Sequence, residues 1–132
     1  PGKGVITKKS PDKNQIKDIE FGYELAKKIS GLDIGQTVCV KSGSIVAVEA
    51  MEGTDRCILR AGEITKDFVV VKVARPNQDM RFDIPVVGIR TIETVKRACA
   101  SVIAVESGKT LFLDMEEVIS AADKNKIIIT AV

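Results

Sequence analysis

Phe68-Val-Val-Val-Lys-Val73 is an apolar, β-branched run interrupted only by Lys72. It passes directly into the polar stretch Lys72-Val-Ala-Arg-Pro-Asn-Gln-Asp-Met-Arg-Phe-Asp83. A strand with one wet face alternates apolar and polar residues, whereas a continuous apolar run is covered on both faces. Phe68 to Val73 is therefore expected to be a central strand of a sheet with helices on either side, and the fold class is α/β.

The neighbouring segments supply the rest of that sheet. Upstream, Val38 to Lys41 and Ile45 to Val48 flank Ser42-Gly43, a combination that predicts an antiparallel hairpin. Thr54 is expected to cap a short helix that Gly62 stops. Closer to the start, Ser10-Pro11 reads as a helix-start signal, with Ser as cap and Pro just inside. Ile16, Ile19, Tyr23 and Ala26 then keep the spacing of one helical face, Phe21, Leu25 and Ile29 widen it, and Gly31 ends the helix. Downstream, Thr91 to Cys99 has helical spacing at Ile92, Val95 and Cys99. Val102 to Val105 and Thr110 to Leu113 flank Ser107-Gly108 as a second expected hairpin, followed by helix Met115 to Lys124 and strand Ile127 to Thr130.

Aligning Ser42 with Ser107 pairs Gly43 with Gly108, Glu49 with Asp114 and Glu52 with Glu117, so a duplicated hairpin-helix-strand unit is one reading of the chain. The expected architecture is a single α/β domain over residues 1–132, with a mixed sheet of about six strands and helices packed on it. Residues 1–10 form a linker-like lead.

Composition bounds the chemistry. The chain has 132 residues, enough for one core, and its 45% hydrophobic content with only 4% aromatics means that aliphatic side chains fill it. A net charge of +2 from mixed signs provides no basic stripe, so a nucleic-acid partner is not expected. No apolar run approaches the ~20 residues that span a bilayer and no secretory signal opens the chain, which predicts a cytoplasmic protein. The start at Pro1 rather than Met points to processing or excision from a longer chain. Cys39, Cys57 and Cys99 are odd in number and far apart, which argues against a disulfide framework or zinc site; they read as small buried apolar residues. Having no histidine removes Ser-His-Asp and Cys-His catalysis, His-based zinc sites and phosphohistidine chemistry. Carboxylates, Lys, Arg or a metal remain.

Two constellations carry those groups. Pro76 and Pro85 favour extended backbone before them, and the residues between them alternate. In an extended chain Asp79, Arg81 and Asp83 share one face while Met80, Phe82 and Ile84 anchor the other. A surface strand edge held by Asp-Arg-Asp pairs explains this pattern, and so does a ligand face. The ligand reading gains from Lys72, Arg75, Asn77 and Gln78, polar groups placed where a buried strand emerges, since α/β folds bind ligands at such strand ends. This stretch is expected to handle a phosphate. The second constellation is Glu49, Glu52, Gly53, Thr54 and Asp55, where a strand hands over to a helix. Capping alone accounts for Thr54 and Asp55. Glu52 and Asp55 would repel a bare phosphate, yet their oxygens suit Mg²⁺, which uses one or two carboxylates plus substrate phosphates. Gly108-Lys109-Thr110 matches the end of a phosphate-binding P-loop, but that motif needs Gly where Ile103 stands; Gly108 is instead expected to supply a positive φ.

The runs Val-Ala-Val-Glu-Ala-Met-Glu-Gly-Thr-Asp from Val46, Val-Lys-Val-Ala-Arg-Pro-Asn-Gln-Asp-Met-Arg-Phe-Asp-Ile-Pro-Val-Val-Gly from Val71 and Thr-Ile-Glu-Thr from Thr91 resemble the UDP-2,3-diacylglucosamine pyrophosphatases of lipid A biosynthesis. Gly-Val-Ile-Thr-Lys-Lys-Ser-Pro near the start, Asp33 to Gln36, and Ala-Val-Glu-Ser-Gly-Lys-Thr-Leu from Ala104 extend the resemblance over almost the whole chain, as that family's carboxyl-terminal domain.

The resemblance implies Mg²⁺-dependent hydrolysis of a nucleotide-linked glycolipid, by water attack at the α-phosphorus, to UMP and 2,3-diacylglucosamine 1-phosphate. It also implies a preceding Rossmann-like domain, with substrate held between the two domains, and a homodimer; peripheral contact with the inner membrane surface stays open. Charge and position then assign roles. Asp79 orients or deprotonates the water or holds the metal, with Asp83 as its competitor, and the sequence does not separate them. Lys72, Arg75 and Arg81 neutralise the diphosphate, Asn77, Gln78 and Thr54 bind substrate, and Glu52 and Asp55 join Asp79 on the metal. The rival readings are a non-catalytic nucleotide-binding or oligomerisation module and a structural protein without a ligand.

Overall fold

The computed structural model describes residues 2–76 and 84–132. Six strands form a mixed sheet: β1 (Gly4–Val5), β2 (Thr37–Lys41), β3 (Ser44–Val48), β4 (Val69–Lys72), β6 (Val102–Val105) and β8 (Ile128–Ala131), in the order β1-β8-β6-β4-β2-β3. β4, β6 and β8 run parallel, β2 is antiparallel to both β4 and β3, and β1 is antiparallel to β8. The helices are α1 (Lys13–Gly31), α2 (Thr54–Ile64), α3 (Ile89–Ala98) and α4 (Met115–Lys124), and β5 (Val86–Val87) pairs in parallel with β7 (Leu111–Phe112) apart from the main sheet. The expected α/β architecture and the central place of Phe68 to Val73 hold.

The reason is visible in how β4 divides its side chains. Val70 enters a layer with Cys57, Ile58, Ala61, Ile92, Val95, Val118 and Ala122 from α2, α3 and α4. Val69 and Val71 enter the opposite layer with Ile19, Ala26 and Ile29 of α1. Both faces of the strand are dry, and its polar continuation lies only at its ends. Among the described residues no helix is long and apolar enough to cross a membrane.

The β2–β3 hairpin forms as expected, with Ser42 and Gly43 both at positive φ in the turn. Its turn is tied to α1 by Asp18, whose carboxylate accepts the Ser42 and Gly43 amides at 3.0 and 2.8 Å. The lead residues carry β1, and Thr7 Oγ1 accepts the Ile129 amide at 3.1 Å.

Several local expectations are corrected. α1 begins at Lys13, capped by Asp12 rather than Ser10: the Asp12 carboxylate accepts the Gln15 amide at 2.8 Å and the Gln15 side chain accepts the Asp12 amide at 2.9 Å. That reciprocal pair satisfies two otherwise unpaired donors, which a lone serine cannot match. α2 is preceded by Gly53, and Thr54 is its first helical residue rather than its cap. Gly62 does not stop α2, which runs to Ile64. A Cβ at Gly62 would lie 2.7 Å from the Ala98 carbonyl oxygen, so this glycine sits where α2 and α3 cross.

The second hairpin is absent. β6 already has β4 on one side and β8 on the other, so no free edge is left for β7, which pairs with β5 instead. The order strand-strand-helix-strand recurs along the chain, but only the first unit contains a hairpin. Cys39 and Cys57 are buried as expected, whereas Cys99 is exposed, in the left-handed conformation that ends α3.

The crossing at Gly62 gives a direct test. Gly62→Val places methyl groups against the Ala98 backbone, which cannot yield as a flexible side chain would, and should cost about 1–3 kcal/mol of unfolding free energy in urea titration. Gly31→Ala is the contrast: its Cβ meets nothing within 4 Å, and stability should hold or rise slightly.

Candidate functional site

A sheet whose central strands run parallel gathers its strand ends and helix starts on one edge. β4 and β6 finish at this carboxyl edge, β2 begins there with Thr37 beside Lys72, and β3 ends there before handing over to α2. Neither Gly53 before α2 nor Gly88 before α3 provides a side-chain cap. α1 has the opposite direction and begins on the far edge with its capping box complete. The amide donors at the amino ends of α2 and α3, with the positive end of each helix dipole, therefore belong to the same edge as Lys72.

Lys72 is the last residue of β4. Burial lowers its pKa below the ordinary lysine value, while the Glu49 and Asp55 carboxylates pull it back up. Its Nζ lies 3.4 Å from the Val86 carbonyl oxygen, so it donates toward the strand where the chain resumes after residues 77–83. Asp55, in the first turn of α2, also meets the Arg90 guanidinium at 3.4 Å, linking the starts of α2 and α3. The Thr54 and Thr37 hydroxyls are 3.0 Å apart, and Thr37 is fully buried, so the start of α2 is pinned to the start of β2. Glu49, which is also buried, accepts the Gln36 amide at 3.0 Å. Gly35 permits this connection, because a Cβ there would fall 2.1 Å from the Glu49 carbonyl oxygen.

The structure thus brings Lys72, Thr54 and Asp55 to one edge. Glu52 has a different set of partners. Its carboxylate takes the Arg60 guanidinium at 2.9 Å and the Ala50 amide at 3.2 Å, and these bonds hold its pKa below the ordinary carboxylate value. With Arg60 also donating to the Val48 carbonyl at 3.0 Å, Glu52 braces the β3–α2 connection. Arg75 pairs with Asp33 at 3.2 Å. Asn77, Gln78, Asp79, Arg81 and Asp83, with the expected anchors Met80 and Phe82, lie outside the described residues. Of the two described residues expected to hold Mg²⁺, Asp55 acts on the Lys72 ammonium, while Glu52 is engaged by Arg60. Among the described residues no group of three carboxylates or thiols converges as a metal site.

One residue was missed by sequence reasoning. Glu106, directly after β6, is 5% exposed. Its Oε1 accepts the Ala74 amide at 3.0 Å, and its Oε2 accepts the Tyr23 hydroxyl at 3.0 Å and the Lys27 ammonium at 2.9 Å. Lys109 stands 3.9 Å from Oε2. Burial alone would raise the Glu106 carboxyl, but the bonds from Lys27, the Ala74 amide and Tyr23 together hold its pKa below the ordinary value. The available signal was a carboxylate ending a wholly apolar parallel strand, where its charge has to find partners.

The sign of that shift fixes a pH dependence. A carboxyl whose folded pKa is depressed stabilises the fold above its unfolded value, here 4.5, and this contribution disappears as pH falls through the folded value. Unfolding midpoints of the wild type should therefore drop below pH 4.5 more steeply than those of Glu106→Gln, which has no proton to gain at this position.

Comparison with known proteins places the chain in a family. Residues 2–130 match the family model described as the LpxI C-terminal domain. The UDP-2,3-diacylglucosamine pyrophosphatase LpxI of Caulobacter vibrioides is 36% identical over 130 residues, covering 92% of this chain and 46% of that protein. The chain thus spans about half the length of this curated relative. By its match over nearly all residues, the chain belongs to the LpxI C-terminal domain family.

Proposed function

We propose that this domain is the carboxyl-terminal part of an enzyme of the lipid A pathway that hydrolyses the pyrophosphate bond of UDP-2,3-diacylglucosamine, releasing UMP and 2,3-diacylglucosamine 1-phosphate. The observation that carries the reading is the family match over residues 2–130. The desolvated Lys72 ammonium, at the edge where α2 and α3 begin behind glycines that supply no side-chain cap, agrees with it.

The chemistry asks little covalent work of the protein. Hydrolysis of a phosphoric anhydride is mostly positioning and charge neutralisation, and preorganised cations and amide dipoles in a partly dry site supply both. In this reading Lys72 and Arg75, with Arg81, meet the diphosphate. Asp79 orients or deprotonates the attacking water, with Asp83 as the alternative. Mg²⁺, when bound, supplies further charge neutralisation on the diphosphate, with Asp55 and Asp79 as its protein ligands. Glu52 contributes less directly, since it is engaged by Arg60. The parent protein in this proposal carries an amino-terminal Rossmann-like domain that closes over the substrate, and it works as a homodimer.

The test is UMP release from UDP-2,3-diacylglucosamine by the longer protein in the presence of Mg²⁺. Asp79→Ala should lower kcat by at least about a hundredfold, the lower bound for a positioned general base. Near wild-type turnover in that variant, with loss in Asp83→Ala, would move the role to Asp83. No turnover by the wild type, with UMP still detected calorimetrically, would favour a nucleotide-binding module instead. Lys72→Met should lower kcat/KM by about a hundredfold, as for loss of one charge-stabilising donor. Because burial lowers the Lys72 pKa, its charge is lost as pH rises, so the alkaline decline in kcat/KM should begin below 10.5 in the wild type and be absent from Lys72→Met.

A further inference from the structure

We infer that Glu106 is a positioning residue for the proposed hydrolysis, acting through the Ala74 amide to fix the direction in which the chain leaves β4. The inference rests on that functional reading and adds a residue to it.

The geometry separates two jobs within one carboxylate. Oε2 faces cations and a phenol from α1, namely Lys27 at 2.9 Å and Tyr23 at 3.0 Å, with Lys109 of its own turn at 3.9 Å. Oε1 does something else. It accepts the amide of Ala74, two residues beyond the end of β4 and one before Arg75, at 3.0 Å. Ala74 is 1% exposed, so its amide has no recourse to solvent and depends on this acceptor. The preceding amide, of Val73, donates to the Gln36 carbonyl at 2.9 Å, and the Gln36 side chain donates back to the Val73 carbonyl at 3.1 Å. Beyond the last ladder pair of β4, then, the chain is held first by Gln36 and next by Glu106.

A carboxylate is an expensive way to do this. An apolar side chain of similar volume would fill the space without desolvating a charge, and buried ion pairs give fold stability only weakly. What an apolar residue cannot do is accept the Ala74 amide. That bond orients the peptide between Lys72, which ends the strand, and the residues from Arg75 onward that the proposed mechanism uses. Misplacement of about 1 Å at a catalytic group costs about a hundredfold in rate, so an orienting bond at the base of the segment is expected to appear in kcat.

The experiment uses the longer protein that contains this domain, and three variants. Glu106→Ala removes both contacts, Glu106→Gln keeps a carbonyl acceptor for Ala74 without the charge, and Lys27→Met removes the ion pair while leaving Ala74 untouched. If Glu106 acts through Ala74, Glu106→Ala should lower kcat about a hundredfold, with KM changed less than threefold. Lys27→Met should keep kcat within threefold of the wild type, and Glu106→Gln should recover most of the rate lost in Glu106→Ala although its stability falls. Exchange of the Ala74 amide, followed by NMR on ¹⁵N-alanine-labelled protein, should be slow in all but Glu106→Ala. Should that variant fail to fold, Glu106→Leu combined with Lys27→Met replaces the pair with packed apolar groups and tests the same acceptor.

The inference is overturned if Lys27→Met loses as much kcat as Glu106→Ala, which would mean that rate follows stability alone. Wild-type kcat or unchanged Ala74 exchange in Glu106→Ala would also overturn it. Absence of turnover in the wild type would sink the functional reading, while the exchange measurement would still decide whether Glu106 holds Ala74.

Discussion

β4 has no wet face, and the layout of the molecule follows from that constraint. Val70 faces three helices and Val69 and Val71 face the fourth, each valine contributing on the order of 1.5 kcal/mol of burial. A strand enclosed in this way can place a charge only at its ends. Lys72 stands at the carboxyl end and remains half-buried, flanked by β2 and β6. The close approach of α1 that encloses β4 depends in turn on Gly22, where a Cβ would lie 2.8 Å from a Val71 methyl and 2.9 Å from a Val40 methyl. Dryness on both sides of one strand therefore fixes where the charged groups of the site must gather.

Carboxylates are numerous at this edge, which is unexpected for a site read as meeting a diphosphate. Their partners resolve the conflict. Glu52 is matched by Arg60, Glu106 by Lys27 and Tyr23 with the Ala74 amide, and Glu49 by the Gln36 amide. Asp55 meets Arg90, and Glu49 and Asp55 both act on the Lys72 ammonium, so among the described residues these two charges stand beside the cations of the edge. Among the described residues the edge thus presents Lys72 and the starts of α2 and α3, with its carboxylates each engaged by a partner. Counting acidic residues in the sequence gives the wrong electrostatic picture, because each charge counts only with its partner in place.

Much of the fold was legible because it rests on local rules. The two-sided burial of β4, the β2–β3 turn at Ser42-Gly43 and the span of α4 each follow from patterns of a few adjacent residues. The errors arose where distant contacts override such patterns. Gly62 has the sequence appearance of a helix stop, yet it lies within α2, where the Ala98 backbone across the interface leaves no room for a Cβ. Ser10-Pro11 is a good start signal, but Asp12 and Gln15 form a better one two residues later. At the site, Lys72 and Asp55 were readable from their places at a strand end and a helix start. Glu106 was not, since its role depends on α1 and on the exit of β4, more than 30 residues away in sequence.

The missing second hairpin belongs to the same account. Seen as a repeat, β6 and β7 are a failed copy of β2 and β3. Their connection instead grips the chain on both sides of residues 77–83. Before that stretch, Glu106 at the end of β6 accepts the Ala74 amide. After it, the Leu111 amide donates to the Pro85 carbonyl at 2.9 Å and the Leu113 amide to the Val87 carbonyl at 3.0 Å, while Lys72 reaches the Val86 carbonyl. A β7 paired to β6 in a hairpin would leave Pro85 and Val87 without these partners, and the re-entering chain would lose its register. Diverting β7 from the main sheet thus gives up a few ladder bonds there and gains fixed anchor points on either side of residues 77–83.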